Sequence, residues 1–260
     1  MRDSVDHLAM LRRNLALIAG GRLLSSDKRI ATGHPGLDAA FGGGLARGRV
    51  HELFAAEAED GPSAAGFAAM LALLAVGRRA PIFWLRTDEA ERRGGIYGPG
   101  LIELGGDPDS LVLGQAPDAK ALLRVAADAA RCPGLGALIV EAHGKCAGLD
   151  LTASRRVAVA VEQSRASLFL LRLEAEAAPG AADTRWAVSA GPSQALEANA
   201  PGAPTFDIEL LRRRSGPAGM RWRLEWNRDR LSFTDPALPG AVVPLPSPRP
   251  ASAGEFRLSA

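Results

Sequence analysis

Cysteine is scarce. Cys132 and Cys146 are the only two in the chain, which excludes a disulfide framework and a cysteine-rich zinc site. Lysine is nearly missing as well: Lys28, Lys120 and Lys145 are the only ones among 31 basic residues, so arginine carries almost all the positive charge. No apolar run is long enough to span a bilayer. The longest, Ala64–Val76, suits a buried helix, and the mixed charges of Met1–His7 leave no apolar core for a signal sequence. Charge of one sign is not in excess either. The net charge of +2 gives no overall attraction to nucleic acid or membrane, although the two ends are basic and the middle is acidic. The four histidines (His7, His34, His51, His143) share no metal-ligand spacing, and no serine sits in a nucleophile-elbow sequence. These absences point to a soluble, cytoplasmic protein with no metal, no cofactor and no catalytic set of its own.

What is present is a chain of 260 residues, 47% hydrophobic, able to bury a real core. Leu8, Leu11, Leu15 and Ile18 fall at helical spacing, so residues 1–24 read as a separate amphipathic helix. Beyond the turn-rich Gly33–Gly48, apolar strands are expected at Arg49–Phe54, Pro81–Leu85, Leu111–Leu113, Ala137–Glu141 and Leu168–Leu173. They are interleaved with helices at Ala64–Val76, from a cap at Asp118 to near Pro133, and from a cap at Thr152 to Ser164. Unbroken apolar strands alternating with helices predict a largely parallel sheet covered on both faces. After residue 184 the helices stop. Trp186–Val188, Phe206–Leu211, Arg221–Trp226 and Leu231–Phe233 read as strands, with 206–226 a hairpin about Ser215–Gly219. Residues 25–235 thus form one core with a C-terminal β extension, and residues 236–260 a proline-rich tail.

The octapeptide Gly61–Ala68 has both glycines of the phosphate-loop pattern G-x-x-x-x-G-K-[ST], between a strand and a helix. Phe67 stands at the lysine position and Ala68 at the hydroxyl position. The ammonium that would bridge the β- and γ-phosphates and the alcohol that would ligate Mg²⁺ are both missing. Each lost charge-assisted contact is worth about 1.5–3 kcal/mol. Glu57, Glu59 and Asp60 add like charge just upstream.

The wider context resembles the RecA recombinase core. Ile30-Ala31-Thr32-Gly33, Gly36-Leu37-Asp38, Phe41–Leu45, Gly48-Arg49 and Glu52 follow the run that leads to that family's phosphate loop, reached here after an insertion at Ala55–Asp60. Ile82–Arg86, Gly105–Asp107, Gln115 and Ala137–Glu141 continue in order. The resemblance implies a P-loop NTPase fold of RecA type. It sets Glu141 at the Walker B aspartate, a degenerate position, and Thr87 or Asp88 at the catalytic glutamate. Together with Phe67 and Ala68, these departures imply a pseudo-ATPase. Among RecA relatives, His51-Glu52-Leu53, Gly66-Phe67-Ala68, Arg185–Val188, Gly191-Pro192-Ser193, Phe206–Arg214 and Arg221–Trp226 are similar to the ImuA family. That resemblance implies a non-catalytic adaptor in damage-induced translesion synthesis. Its implied partners are an ImuB-like Y-family protein and an error-prone polymerase III α-type subunit, with RecA and DNA as further candidates, and its implied place is at the nucleoid during DNA damage. A nucleotide-binding recombinase and an inhibitor of RecA filaments stay open as alternatives. Arg212, Arg213, Arg214, Arg221 and Arg223 lie among Trp222, Trp226 and Phe233. If 206–226 is a hairpin, they would form one basic surface for DNA, the other reading being a solvated, salt-bridged face.

Overall fold

A computed structural model describes residues 28–236, apart from 78, 79, 133, 147 and 178. The N-terminal helix and the proline-rich tail expected above lie outside the described residues. The chain runs β1 (Arg29–Ile30), α1 (Pro35–Ala40), β2 (Leu45–Ala46), β3 (Val50–Ala55), α2 (Gly61–Val76), β4 (Ile82–Thr87), α3 (Asp88–Arg93) and α4 (Gly98–Glu103). It continues through β5 (Leu111–Ala116), α5 (Ala119–Ala129), β6 (Ala137–His143), α6 (Leu151–Ser164) and β7 (Ser167–Leu173). Four strands close it: β8 (Thr184–Ala190), β9 (Thr205–Arg213), β10 (Arg221–Asn227) and β11 (Ser232–Thr234). Among the described residues, no helix is long and apolar enough to cross a membrane.

Nine strands form one sheet in the order β11-β10-β9-β8-β3-β7-β6-β4-β5. From β5 to β8 all neighbours are parallel, and from β8 to β11 all are antiparallel. The interior parallel strands β3, β7, β6 and β4 are buried on both faces, which is why they read as unbroken apolar runs, whereas the edge strand β5 is partly exposed. One face carries Leu53, Trp84, Ile139, Phe169, Leu171 and Trp186 toward α2. The other packs Phe83, Leu85, Leu138, Val140, Leu168 and Leu170 with α5 and α6.

Helix α2 has few polar sides: Phe67 through Leu73 are seven successive buried residues. The antiparallel strands reach it as well. Phe67 meets Phe206 of β9 and Phe233 of β11, ring centroids 5.4 and 5.3 Å away, and Trp226 of β10 packs edge-to-face with Phe233 at 4.9 Å. The C-terminal extension is therefore fastened to the central helix by aromatic rings. The other face of β8–β10 carries no such apolar set.

Two caps fix the outer helices. Asp118 accepts from Ala121 N at 2.7 Å, as the sequence suggests. At α6 the cap is Asp150, which accepts from Ala153 N at 2.7 Å, and not Thr152. A carboxylate beside free N–H groups outcompetes a hydroxyl two residues later. The segment before α1 is held by Asp38, whose carboxylate accepts from Thr32 N, Thr32 Oγ1 and Gly33 N. Gly44 is obligatory there, since at φ +114° a Cβ would lie 2.1 Å from Ile30 O.

Candidate functional site

The carboxyl end of β3, the start of α2 and the end of β6 are where a phosphate-binding fold places its ligand. The octapeptide Gly61–Ala68 is not a loop. Helix α2 begins at Gly61, so Gly66, Phe67 and Ala68 sit in its second turn. Phe67 is 2% exposed and Ala68 fully buried, both in the core. The expected register is corrected on this point: Phe67 does not line a ligand site but anchors the β extension.

The connection from β3 to α2 is Ala56–Asp60, with a 3-10 turn over its last three residues. The segment expected as an insertion before the loop is itself the connection between the two elements. A phosphate loop puts its second glycine and lysine at the helix start, which here gives Gly61, Pro62 and Ser63. The hydroxyl is kept, and the lysine is a proline with neither ammonium nor N–H. Glu57, Glu59 and Asp60 all lie on this connection. Asp60 is tied down, accepting from Ala190 N at 2.8 Å. This connection thus concentrates three carboxylates, Glu57, Glu59 and Asp60, within four residues.

At the end of β6, Glu141 is 3% exposed and both its oxygens are occupied. Oε2 accepts from Trp84 Nε1 at 3.0 Å and Arg86 Nε at 2.9 Å. Oε1 takes Arg86 Nη2 at 3.1 Å and His143 Nε2 at 2.9 Å. Burial alone would raise this carboxyl, but hydrogen bonds from His143 and Arg86, with the charge of Arg86, outweigh it and hold the group below the ordinary range. Arg86 extends the network to Glu91 at 2.6 Å and to the Ala90 carbonyl at 3.0 Å. Beyond it, Arg93 reaches Glu174 at 2.6 Å. A bidentate arginine thus covers Glu141 and, with Trp84 and His143, fills the acceptor positions of both its oxygens. Thr87 caps α3 through Ala90 N at 3.2 Å, and Asp88 is the first residue of that helix.

On the opposite face of the sheet, Arg185 Nε donates to Glu52 Oε2 at 2.7 Å, both side chains buried. His51, on the α2 face, bridges two segments: Nε2 donates to Ala46 O at 2.9 Å, which leaves Nδ1 to accept from Thr184 Oγ1 at 2.7 Å.

The arginines of the hairpin are not brought together. Arg212 and Arg213 are consecutive on β9, so strand alternation sends them to opposite faces of the sheet; the bulge of the β8–β9 ladder falls at Leu211, outside the pair. Arg212 donates to Gly180 O and Ala182 O, whereas Arg213 donates to Ala40 O at 2.7 Å and lies 4.4 Å over Phe41. Arg214 is exposed at the strand end. Arg223 is bidentate on Asp207 at 2.7 and 2.8 Å, and Arg221 meets Glu209 at 2.7 Å. The single basic surface expected is a mixed-charge face, because the arginines of β10 stand in register with acids of β9.

No family model matches the chain. It is similar over 79% of its length to the RadB recombinase, covering 99% of that structure with a TM-score of 0.53 at 14% identity. The fold is RecA-like. The Protein ImuA of Caulobacter vibrioides, from strain NA1000 / CB15N and from strain ATCC 19089 / CIP 103742 / CB 15, is 31% identical over 215 residues. The match spans 77% of this chain and 78% of each relative. The chain belongs to the ImuA family.

In this ImuA-family chain, the site residues that sequence reasoning missed are Trp84, Arg86 and His143. Their signal was parity. Trp84 and Arg86 on β4, and Glu141 and His143 on β6, have the two-residue spacing that puts each pair on one face. That face is shared only once β4 and β6 are known to be neighbours.

Proposed function

We propose that this chain is a non-catalytic, RecA-like adaptor of a damage-inducible translesion synthesis complex, a pseudo-ATPase whose sheet serves as a docking platform. The observation that carries the reading is the bidentate pairing of Arg86 with Glu141, the residue that the RecA resemblance sets at the Walker B position. The acidic Glu57–Asp60 loop with Pro62 at the lysine position supports it. The ImuA relationship supports damage-induced mutagenesis as the setting, with an ImuB-like Y-family protein and an error-prone polymerase III α-type subunit as partners. DNA is assigned to those partners, since Arg221 and Arg223 are already paired. The test is thermal unfolding of the full chain with millimolar Mg-ATP, alongside capture of the two partners from damage-treated cells. No shift, no turnover and recovery of both partners is the expected outcome. A robust Mg-ATP shift, with DNA-stimulated hydrolysis lost in Glu141→Gln, would make the chain a nucleotide-driven recombinase instead.

A further inference from the structure

Helices α5 and α6 lie side by side on the sheet face opposite α2. Leu122, Ala126 and Ala129 of α5 are buried against the strands, as are Val157, Ala160 and Val161 of α6. The outward faces carry four exposed cations, Lys120 and Arg124 on α5 and Arg155 and Arg156 on α6. Among the described residues none of the four has an ion pair or a side-chain hydrogen bond. The acids that could neutralise them are engaged elsewhere. Asp118 and Asp150 accept from the first turns of their own helices, Asp128 holds Arg131, and Glu162 holds Arg49. Two aliphatic side chains stand in the same surface, Leu151 at 41% exposure and Val159 at 54%. Leu151, Arg155 and Val159 are each four residues apart and so form one ridge of α6.

Helix physics does not account for this placement. Lys120 is in the first turn of α5, where the helix dipole disfavours a cation, and Arg124 repeats its charge four residues on. Valine is a weak helix former, so an outward Val159 gains the helix nothing. Each choice costs the isolated chain some stability, and a partner that is both anionic and apolar would offset it.

We propose that the outer face of α5 and α6 is a docking surface for an acidic amphipathic helix of a partner protein. Its carboxylates meet Lys120, Arg124, Arg155 and Arg156, and its aliphatic side chains cover Leu151 and Val159. A ridge of residues four apart suits the groove of a third helix, and the guanidinium forks suit carboxylates. A nucleic-acid backbone is the poorer match. Neither helix carries an aromatic side chain for a base to stack on, and Asp118 and Asp150 stand at the amino ends of both. The surface goes beyond the adaptor reading, since a nucleotide-driven recombinase could carry it as well.

The test is an NMR titration of the isotope-labelled full chain with designed helical peptides. The first has glutamates flanking a leucine stripe. Its controls replace glutamate by glutamine, leucine by serine, or glutamate by lysine, and a single-stranded oligonucleotide serves as competitor. The glutamate–leucine peptide is expected to bind saturably, to shift the amide signals of α5 and α6 and not those of β9 and β10, and to resist the oligonucleotide. Arg155→Glu combined with Arg156→Glu should weaken it at least about tenfold and make the lysine peptide the better ligand. Val159→Ser should weaken it about threefold with no change in melting temperature. If the reversed pair on α6 does not fold, Lys120→Glu combined with Arg124→Glu makes the same reversal on α5. No saturable binding, shifts centred away from α5 and α6, equal binding of the glutamine or serine peptide, full affinity in either kind of variant, or displacement by the oligonucleotide would each overturn the proposal. A Mg-ATP thermal shift, which would overturn the adaptor reading, leaves these outcomes untouched.

Discussion

Replacing Arg86 by methionine isolates the Glu141 network. The substitution keeps the length and apolar stem of the side chain but strands Glu141, leaving it Trp84 and His143 as its only donors. Removing one partner of a buried ion pair costs about 3–5 kcal/mol, because the remaining charge stays desolvated. The side chains of Arg86 and Glu141 are 8% and 4% exposed, so little solvent screening reduces that figure. In a domain of this size the loss lowers the melting temperature by about 6–20 °C. The pH dependence gives a second readout. In the wild type the carboxyl is held below its ordinary range, so its stabilisation is complete above the unfolded carboxyl pKa and fades as pH falls through the lower folded value. In Arg86→Met the carboxyl rises above its unfolded value, so acid relieves the penalty and the gap between the two proteins narrows from pH 7 toward pH 5. The double variant Arg86→Met, Glu141→Leu should recover most of the loss. Urea melts by circular dichroism at both pH values measure all of this. A deficit under about 1 kcal/mol that is flat with pH would refute the buried-pair account.

Phe67→Lys, which would rebuild a phosphate-loop lysine in the register first suggested by the glycine spacing, should destabilise the fold by at least the ~3–5 kcal/mol of a buried Phe→Ala change and confer no ATP-dependent thermal shift. Pro62→Lys should fold normally and also fail to bind ATP, because Glu57, Glu59 and Asp60 remain; tight binding by either variant would contradict the assigned loop. Burial holds His51 below the ordinary imidazole range, although the Ala46 carbonyl works against it. Its contribution is therefore present above the unfolded pKa and is lost as pH drops below about 6.5. The stability slope between pH 6.5 and 5 should flatten in His51→Gln, and identical slopes would remove His51 from the acid response.

The strands of the core were legible because burial on both faces writes them as unbroken apolar runs, and β10 because one buried face writes it as alternation. The loop was not legible in the same way. Gly61 and Gly66 carry the right spacing, but in an alanine-rich helix that spacing is cheap. The better signal was Pro62, which belongs to the first turn of a helix and so places the helix start at Gly61. Ion pairing was harder still. The pattern Asp207-x-Glu209 facing Arg221-x-Arg223 was readable once a hairpin was assumed, but Arg86 with Glu141 depends on strand order across a parallel sheet, which composition and periodicity do not encode. The separation of Arg212 from Arg213 was readable from alternation, whereas the bulge at Leu211 left no mark in the sequence.

Helix α2 emerges from the ribosome well before the rings that cover Phe67, since Phe206 and Phe233 lie far downstream, the latter on the final strand among the described residues. Until β11 has been made, a greasy cylinder with almost no polar side has only part of its shelter. Synthesis of this protein should therefore lean on holding chaperones, and a frameshift near the 3′ end of its message should yield aggregate rather than a shorter soluble product.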